Sequence, residues 1–224
     1  MTTLYLVRHG QASFAAENYD CLSELGHRQS AWLGEHFASR GIVFARAVCG
    51  TLDRQRQTAR TLLEAMGSAT PVVEHAGWNE YSGDALYRAY HGEGWAKARA
   101  KGDVREFYRT IKAALLLWSE EKLAGDLPET WRQFGERTVR AMQAACEGLP
   151  AGACVLAASS GGAIARAVAT LLHAPAHTAI ELNLQYRNSA FCEIFVSPRS
   201  KRMVSFNCIP HLDRPDRAEA ITYS

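Results

Sequence analysis

An arginine and a histidine stand side by side where a short apolar run ends, at Arg8-His9-Gly10. A guanidinium holds a phosphate through a fork of N–H donors, and a neutral imidazole is a nucleophile toward phosphorus. Three more polar segments follow, or closely follow, an apolar run. Thr51-Leu52-Asp53-Arg54 opens a helical pattern. Helix N-termini attract anions, so a cation at Arg54 fits a bound phosphate there. Asn79-Glu80 offers a carboxyl group that can protonate a leaving alkoxide once its pKa is raised. Burial raises such a pKa and neighbouring arginines lower it. Asp84 is a weaker substitute. Ser159-Ser160-Gly161-Gly162 forms a tight turn. Each segment alone has an ordinary reading: a chance basic pair, a solvated arginine, a surface glutamate. Gly10 reads as a point where the backbone approaches a ligand closely.

The elements that must position these residues alternate as strand and helix. Residues 3–7 form a strand. A helix runs from about Ser23, with Leu25, Trp32, Leu33, His36 and Phe37 on one face, and Gly41 ends it. Residues 43–49 form a second strand, followed by a helix with Ala59, Leu62, Leu63 and Met66 on one side. Residues 71–74 form a short third strand. From about 84 to 148 strands vanish and aromatics scatter (Tyr87, Tyr90, Trp95, Phe107, Tyr108, Trp118, Trp131, Phe134), which predicts three helices inserted as a cap. Residues 153–158 are a strand and 163–172 a helix. Strands at 189–196 and 203–208 flank a hairpin turn. The order predicts a three-layer α/β/α sandwich in one domain, residues 1–224, with a mostly parallel sheet and an antiparallel edge. Parallel strand ends share one sheet edge, so the four polar segments can meet there.

These residues resemble the histidine phosphatase superfamily, also called phosphoglycerate-mutase-like. The resemblance rests on Leu6-Val-Arg8-His9-Gly10, Leu22-Ser-Glu-Leu-Gly26-His-Arg-Gln29, Thr51-Leu-Asp-Arg54-Gln-Arg-Gln-Thr58-Ala59, Asn79-Glu80, residues 155–164 and Asn188-Ser189. It implies that His9 takes the phosphoryl group, Arg8 and Arg54 clamp its oxygens, and Glu80 protonates the leaving group. It implies no metal and no cofactor, because the arginines stabilise the charge. Gln11 and Ser13 become substrate contacts, and Ser160 and Gly161 phosphate contacts. The chain departs from the family twice. The mutases carry an asparagine a few residues after Gly10, whereas this chain reads Gln11-Ala12-Ser13-Phe14-Ala15, which favours phosphatase over mutase. Where the family usually reads Ser-His-Gly-Gly, Ser160 replaces the second histidine. A charge-assisted hydrogen bond contributes roughly 1.5–3 kcal/mol and a neutral one about 1, so a slow enzyme is expected.

Three functions follow. The first is a metal-independent phosphatase acting through phospho-His9, and the second a phospholigand-binding protein with a weakened or inactive site. The third is a serine hydrolase using Ser160, since Ala158-Ser-Ser160-Gly-Gly162 approaches a nucleophile elbow, with Glu181 and His211 downstream. Among the remaining histidines, His91 in the cap can fold over the site, while His27, His36, His75, His173 and His177 read as structural or surface groups. Cap arginines Arg88, Arg99, Arg105 and Arg109 read mainly as structural.

The chain has 224 residues, 47% hydrophobic and 21% charged, with net charge +2. That balance forces neither a nucleic-acid nor a membrane partner. A phosphorylated small molecule is the expected ligand, with inorganic phosphate or sulfate able to occupy the site. Six cysteines without a C-x-x-C pair, and no secretory pattern, predict a cytoplasmic protein with free thiols. A homodimer is compatible with the sequence.

Overall fold

The computed structural model describes residues 1–13, 20–92 and 104–223. Strand β1 (Thr2–Arg8) leads to α1 (Glu24–Ser39), β2 (Phe44–Cys49), α2 (Asp53–Ala65) and β3 (Val72–Glu74). A 3-10 turn, Ala76–Trp78, precedes α3 (Gly83–His91), α4 (Val104–Ser119) and α5 (Trp131–Cys146), and a second lies at Pro215–Ala220. Then come β4 (Cys154–Ser159), α6 (Gly161–Leu171), α7 (Ala176–Leu184), β5 (Phe191–Val196) and β6 (Lys201–Cys208). The strand order is β3-β2-β4-β1-β5-β6. The first four run parallel, and the antiparallel edge is the β5–β6 hairpin. No helix among the described residues is long and apolar enough to cross a membrane.

The connection after β1 leads past β4 to β2, and the one after β4 leads past β1 to β5. Chains leaving in opposite directions open a crevice at the carboxyl ends of β1 and β4. Alternation along β1 separates two cores. Leu4 and Leu6 join Val155, Ala157, Ile164 and Val168 on one face. Tyr5 and Val7 join Leu33, Phe37, Leu62 and Phe191 on the other.

The expected cap divides. Leu86 and Tyr87 of α3 and Ile111, Leu115 and Trp118 of α4 pack with Ala163, Ala169 and Ile180 of α6 and α7, outside the sheet layers. Helix α5 begins in that cluster through Trp131 and Phe134. It ends on the sheet, where Ala141, Met142 and Ala145 share the core of Leu4 and Leu6. Small residues at its C-terminal half let it lie against β4. Trp95 and Arg99 lie outside the described residues, as does the side chain of Arg105.

Gly10 is required by a contact its position did not suggest, the start of helix α1: a Cβ on Gly10 would sit 2.3 Å from the carbonyl oxygen of Gly26, and one on Gly26 would sit 2.2 Å from that of Gln11. The loop after β1 and the start of α1 thus touch backbone to backbone. Ser23 caps α1 by accepting from Gly26 N, and its hydroxyl donates to Gln11 Oε1 at 2.9 Å. Gly26→Ala is expected to lower unfolding free energy by about 3 kcal/mol through overpacking against backbone that cannot yield. Gly83, with nothing within 4 Å of its added Cβ, is the control, and Gly83→Ala should match or exceed wild type. Urea titration of the two variants distinguishes them.

Candidate active site

His9 follows β1 immediately, and its backbone N–H donates to Ser159 O at 2.9 Å, extending the β1–β4 ladder by one rung. That bond sets His9 beside Ser160 at the head of the crevice. The imidazole is 5% exposed. Its Nδ1 lies 2.7 Å from Gly10 O, and a carbonyl only accepts, so Nδ1 carries the proton. Nε2 therefore presents a lone pair, which accepts from Arg54 Nε at 3.2 Å. Burial, then the charges of Arg54 and Arg8, push the His9 pKa well below the ordinary histidine value. The imidazole is neutral at neutral pH.

Arg8 points into the same crevice and is anchored through its guanidinium. Nη1 donates to Tyr186 O and Nη2 to Tyr223 O at 2.8 Å. Arg54 sits on the first turn of α2, where no residue of the turn supplies a side-chain cap. Asp20 fills that role from a distance: Oδ2 accepts from Asp53 N at 2.9 Å and Oδ1 pairs with Arg54 Nη1 at 2.5 Å. Asp20 escaped the sequence reading because it looked like one more polar loop residue.

Glu80 keeps partial solvent contact, yet its carboxylate is crowded by protein. Oε2 accepts from Gly162 N at 2.8 Å, and Oε1 from Tyr81 N at 3.1 Å. Desolvation by burial raises its pKa above the usual glutamate value, against those two hydrogen bonds and the charges of Arg54 and Arg8. Arg137 of α5 holds the Glu80 loop, donating to Asn79 O at 2.7 Å and Gly77 O at 3.1 Å while paired with Glu129. Neither Arg137 nor Glu129 had a local signal; Arg137 reaches the loop across 58 residues of sequence, with Glu129 as its partner.

The structure thus brings Arg8, His9, Arg54, Glu80, Ser160 and Gly161 to one place. Ser160 is 1% exposed and its Oγ accepts from Gln55 Nε2 at 2.8 Å. Gly161 N-terminates α6 against Asn183 and Arg8. Gln11 borders the site, but Ser23 engages its side chain. Ser13 is tied by its backbone to Cys21, at the rim of the residues left undescribed. Phe14 and Ala15 lie outside the described residues. Asp84 sits on the first turn of α3.

Among the described residues no base meets Ser160, and the serine-hydrolase constellation of Ser160, Glu181 and His211 does not form. His211 Nε2 pairs instead with Ser189 Oγ at 2.7 Å, and Glu181 pairs with Lys112 at 2.6 Å. The other histidines lie elsewhere. His75 caps the turn at Ala76–Trp78, His36 packs on Phe37 and Phe191, and His91 meets Tyr87 at a tilt and Tyr90 edge-on within α3. His27 meets Thr61 on the surface.

The His9 ring should titrate with its midpoint below the ordinary 6.5. Arg54→Gln removes a repelling cation and is expected to shift that midpoint upward. Long-range nitrogen–proton NMR of the imidazole reads both. A wild-type midpoint at or above 6.5 contradicts the assignment.

Residues 4–209 match the family model described as histidine phosphatase superfamily (branch 1). The chain is 28% identical over 208 residues to the probable phosphoglycerate mutase GpmB of Klebsiella pneumoniae, across 87% of this chain and 85% of that protein. It is 33% identical over 85 residues to the 2,3-bisphosphoglycerate-dependent phosphoglycerate mutase of Bartonella quintana, a match that spans 41% of that enzyme and 35% of this chain. Its fold superposes on a mutant phosphoserine phosphatase from Entamoeba histolytica in complex with phosphoserine, with TM-score 0.68, 17% identity and coverage of 95% and 100% of the two chains. With a family match across nearly the whole sheet and its flanking helices, the chain belongs to the histidine phosphatase superfamily, branch 1.

Proposed function

We propose that this protein is a metal-independent phosphatase of phosphoric monoesters that works through a phosphohistidine at His9. The observation that carries the reading is the protonation pattern: a buried neutral imidazole with its Nε2 lone pair facing Arg54, beside a carboxyl group whose pKa is raised. In the first step Nε2 attacks phosphorus and the P–O bond to the leaving group breaks. Glu80 gives its proton to the departing oxygen. In the second step the Glu80 carboxylate takes a proton from water, the water oxygen attacks phosphorus, and the P–N bond breaks. Arg8 and Arg54 balance the phosphoryl charge, with Arg54 exchanging its contact on Nε2 for a phosphoryl oxygen. Free N–H groups at the start of α6 favour the same anion.

The ligand is a phosphorylated small molecule, and inorganic phosphate or sulfate competes for the same clamp. Six free thiols support a reducing, cytoplasmic setting. A weakened phospholigand-binding protein is the second reading. It is favoured by Ser160, a neutral group at the phosphoryl site, and by Asp20, which already holds Arg54.

Hydrolysis requires His9 deprotonated and Glu80 protonated. The rate should rise as pH climbs through the lowered His9 pKa and fall as pH passes the raised Glu80 pKa. His9→Ala should abolish release of nitrophenol from p-nitrophenyl phosphate, and chelators should leave the wild-type rate unchanged. Glu80→Gln should slow alkyl phosphates about 10²–10⁴-fold but aryl phosphates less, because a phenolate leaves without a proton. Equal rates for wild type and His9→Ala would falsify the reading. Phosphate that raises the melting temperature without turnover would select the binding protein instead.

A further inference from the structure

Ser160 occupies the N-cap of α6, with φ −118° and ψ 162°, yet its side chain caps nothing. A serine there ordinarily accepts from the second or third backbone N–H of the helix. Glu80 Oε2 takes that donor, Gly162 N, in its place. The Ser160 hydroxyl turns instead to Gln55, whose Nε2 donates to Ser160 Oγ at 2.8 Å and to Trp78 O at 3.1 Å. Trp78 O only accepts, so the orientation of the Gln55 amide is fixed. Ser160 Oγ is therefore an acceptor toward Gln55, and its own proton remains for another acceptor. Among the described residues none takes it.

Gln55 is itself out of place. It lies on the buried face of α2 with Thr58, Ala59 and Leu62, and is 0% exposed. Among the described residues its Oε1 has no hydrogen-bond partner. An unpartnered buried amide oxygen is destabilising, so stability alone does not account for the residue. It stands next to Arg54 in sequence and next to Ser160 in space, behind the phosphate clamp.

We propose that Gln55 is a positioning residue that holds the Ser160 hydroxyl as a neutral hydrogen-bond donor to the phosphoryl oxygens bound at His9. The inference rests on the phosphatase reading for where the phosphoryl group sits. The two residues form one device: Gln55 fixes the hydroxyl, Glu80 relieves it of capping duty, and the hydroxyl proton faces the anion. Gln55 also fills the space behind position 160, so a histidine placed there needs Gln55 shortened at the same time.

A double-mutant cycle tests it, with turnover of p-nitrophenyl phosphate and calorimetric binding of orthovanadate as parallel readouts. Ser160→Ala and Gln55→Met each should lower kcat and vanadate affinity roughly ten-fold, the equivalent of one neutral hydrogen bond. The double variant should be no worse than Ser160→Ala. Ser160→His alone should lose activity, while Ser160→His with Gln55→Ala recovers it and adds a new histidine ionisation to the pH–rate profile. Gln55→Leu replaces Gln55→Met where circular dichroism shows the latter unfolded. Independent, multiplying effects of the two single variants overturn the inference while leaving the phosphatase reading intact. Coupled losses in vanadate binding from a wild type without His9-dependent turnover uphold the device and overturn the phosphatase reading.

Discussion

One backbone hydrogen bond, from His9 N to Ser159 O, holds the arrangement together. It continues the parallel pairing in which Arg8 faces Ser159 and Val7 faces Ala158. A slip of one residue would invert β1, turning Leu4 and Leu6 toward the helices that now receive Tyr5 and Val7. Both cores therefore police this register. His9 and the start of α6, which Glu80 caps, take their positions from it. The candidate site is held by the most deeply buried part of the molecule.

Burial also settles protonation. Desolvation disfavours charge, so it lowers His9 and raises Glu80, and both move toward the neutral form. The arginines act in the same direction on His9 and in the opposite direction on Glu80. These are the directions that the proposed phosphoryl transfer to nitrogen uses, and burial supplies both of them. The positive charge that remains belongs to Arg8 and Arg54. Arg8 is seated on the backbone carbonyls of Tyr186 and Tyr223, which fix its guanidinium beside the crevice.

What the sequence disclosed depended on distance along the chain. Strand and helix patterns, and the four polar strand ends, are local signals, and the sheet with its flanking helices follows from them. Gly10 was readable as special but not as the partner of Gly26, because the contact depends on how α1 returns to β1. The divided cap was illegible for the same reason: the stripe of α5 is apolar throughout, and only the tertiary fold decides that Trp131 meets α4 while Met142 meets the sheet. Asp20 and Arg137 act over 34 and 58 residues of separation. Gln55 was equally hidden, because on a helix so rich in arginine and glutamine only the fold shows that this amide is the one fully buried.

The seat of Arg8 on Tyr223 O spans 215 residues of sequence. On the ribosome, chain grows at about 5–20 residues per second, so roughly 10–40 s separate the emergence of Arg8 from that of its partner. Throughout that interval Arg8 lacks the carbonyl that receives its Nη2, so this side chain of the first strand is fully seated only when a residue more than two hundred positions later has folded back onto it.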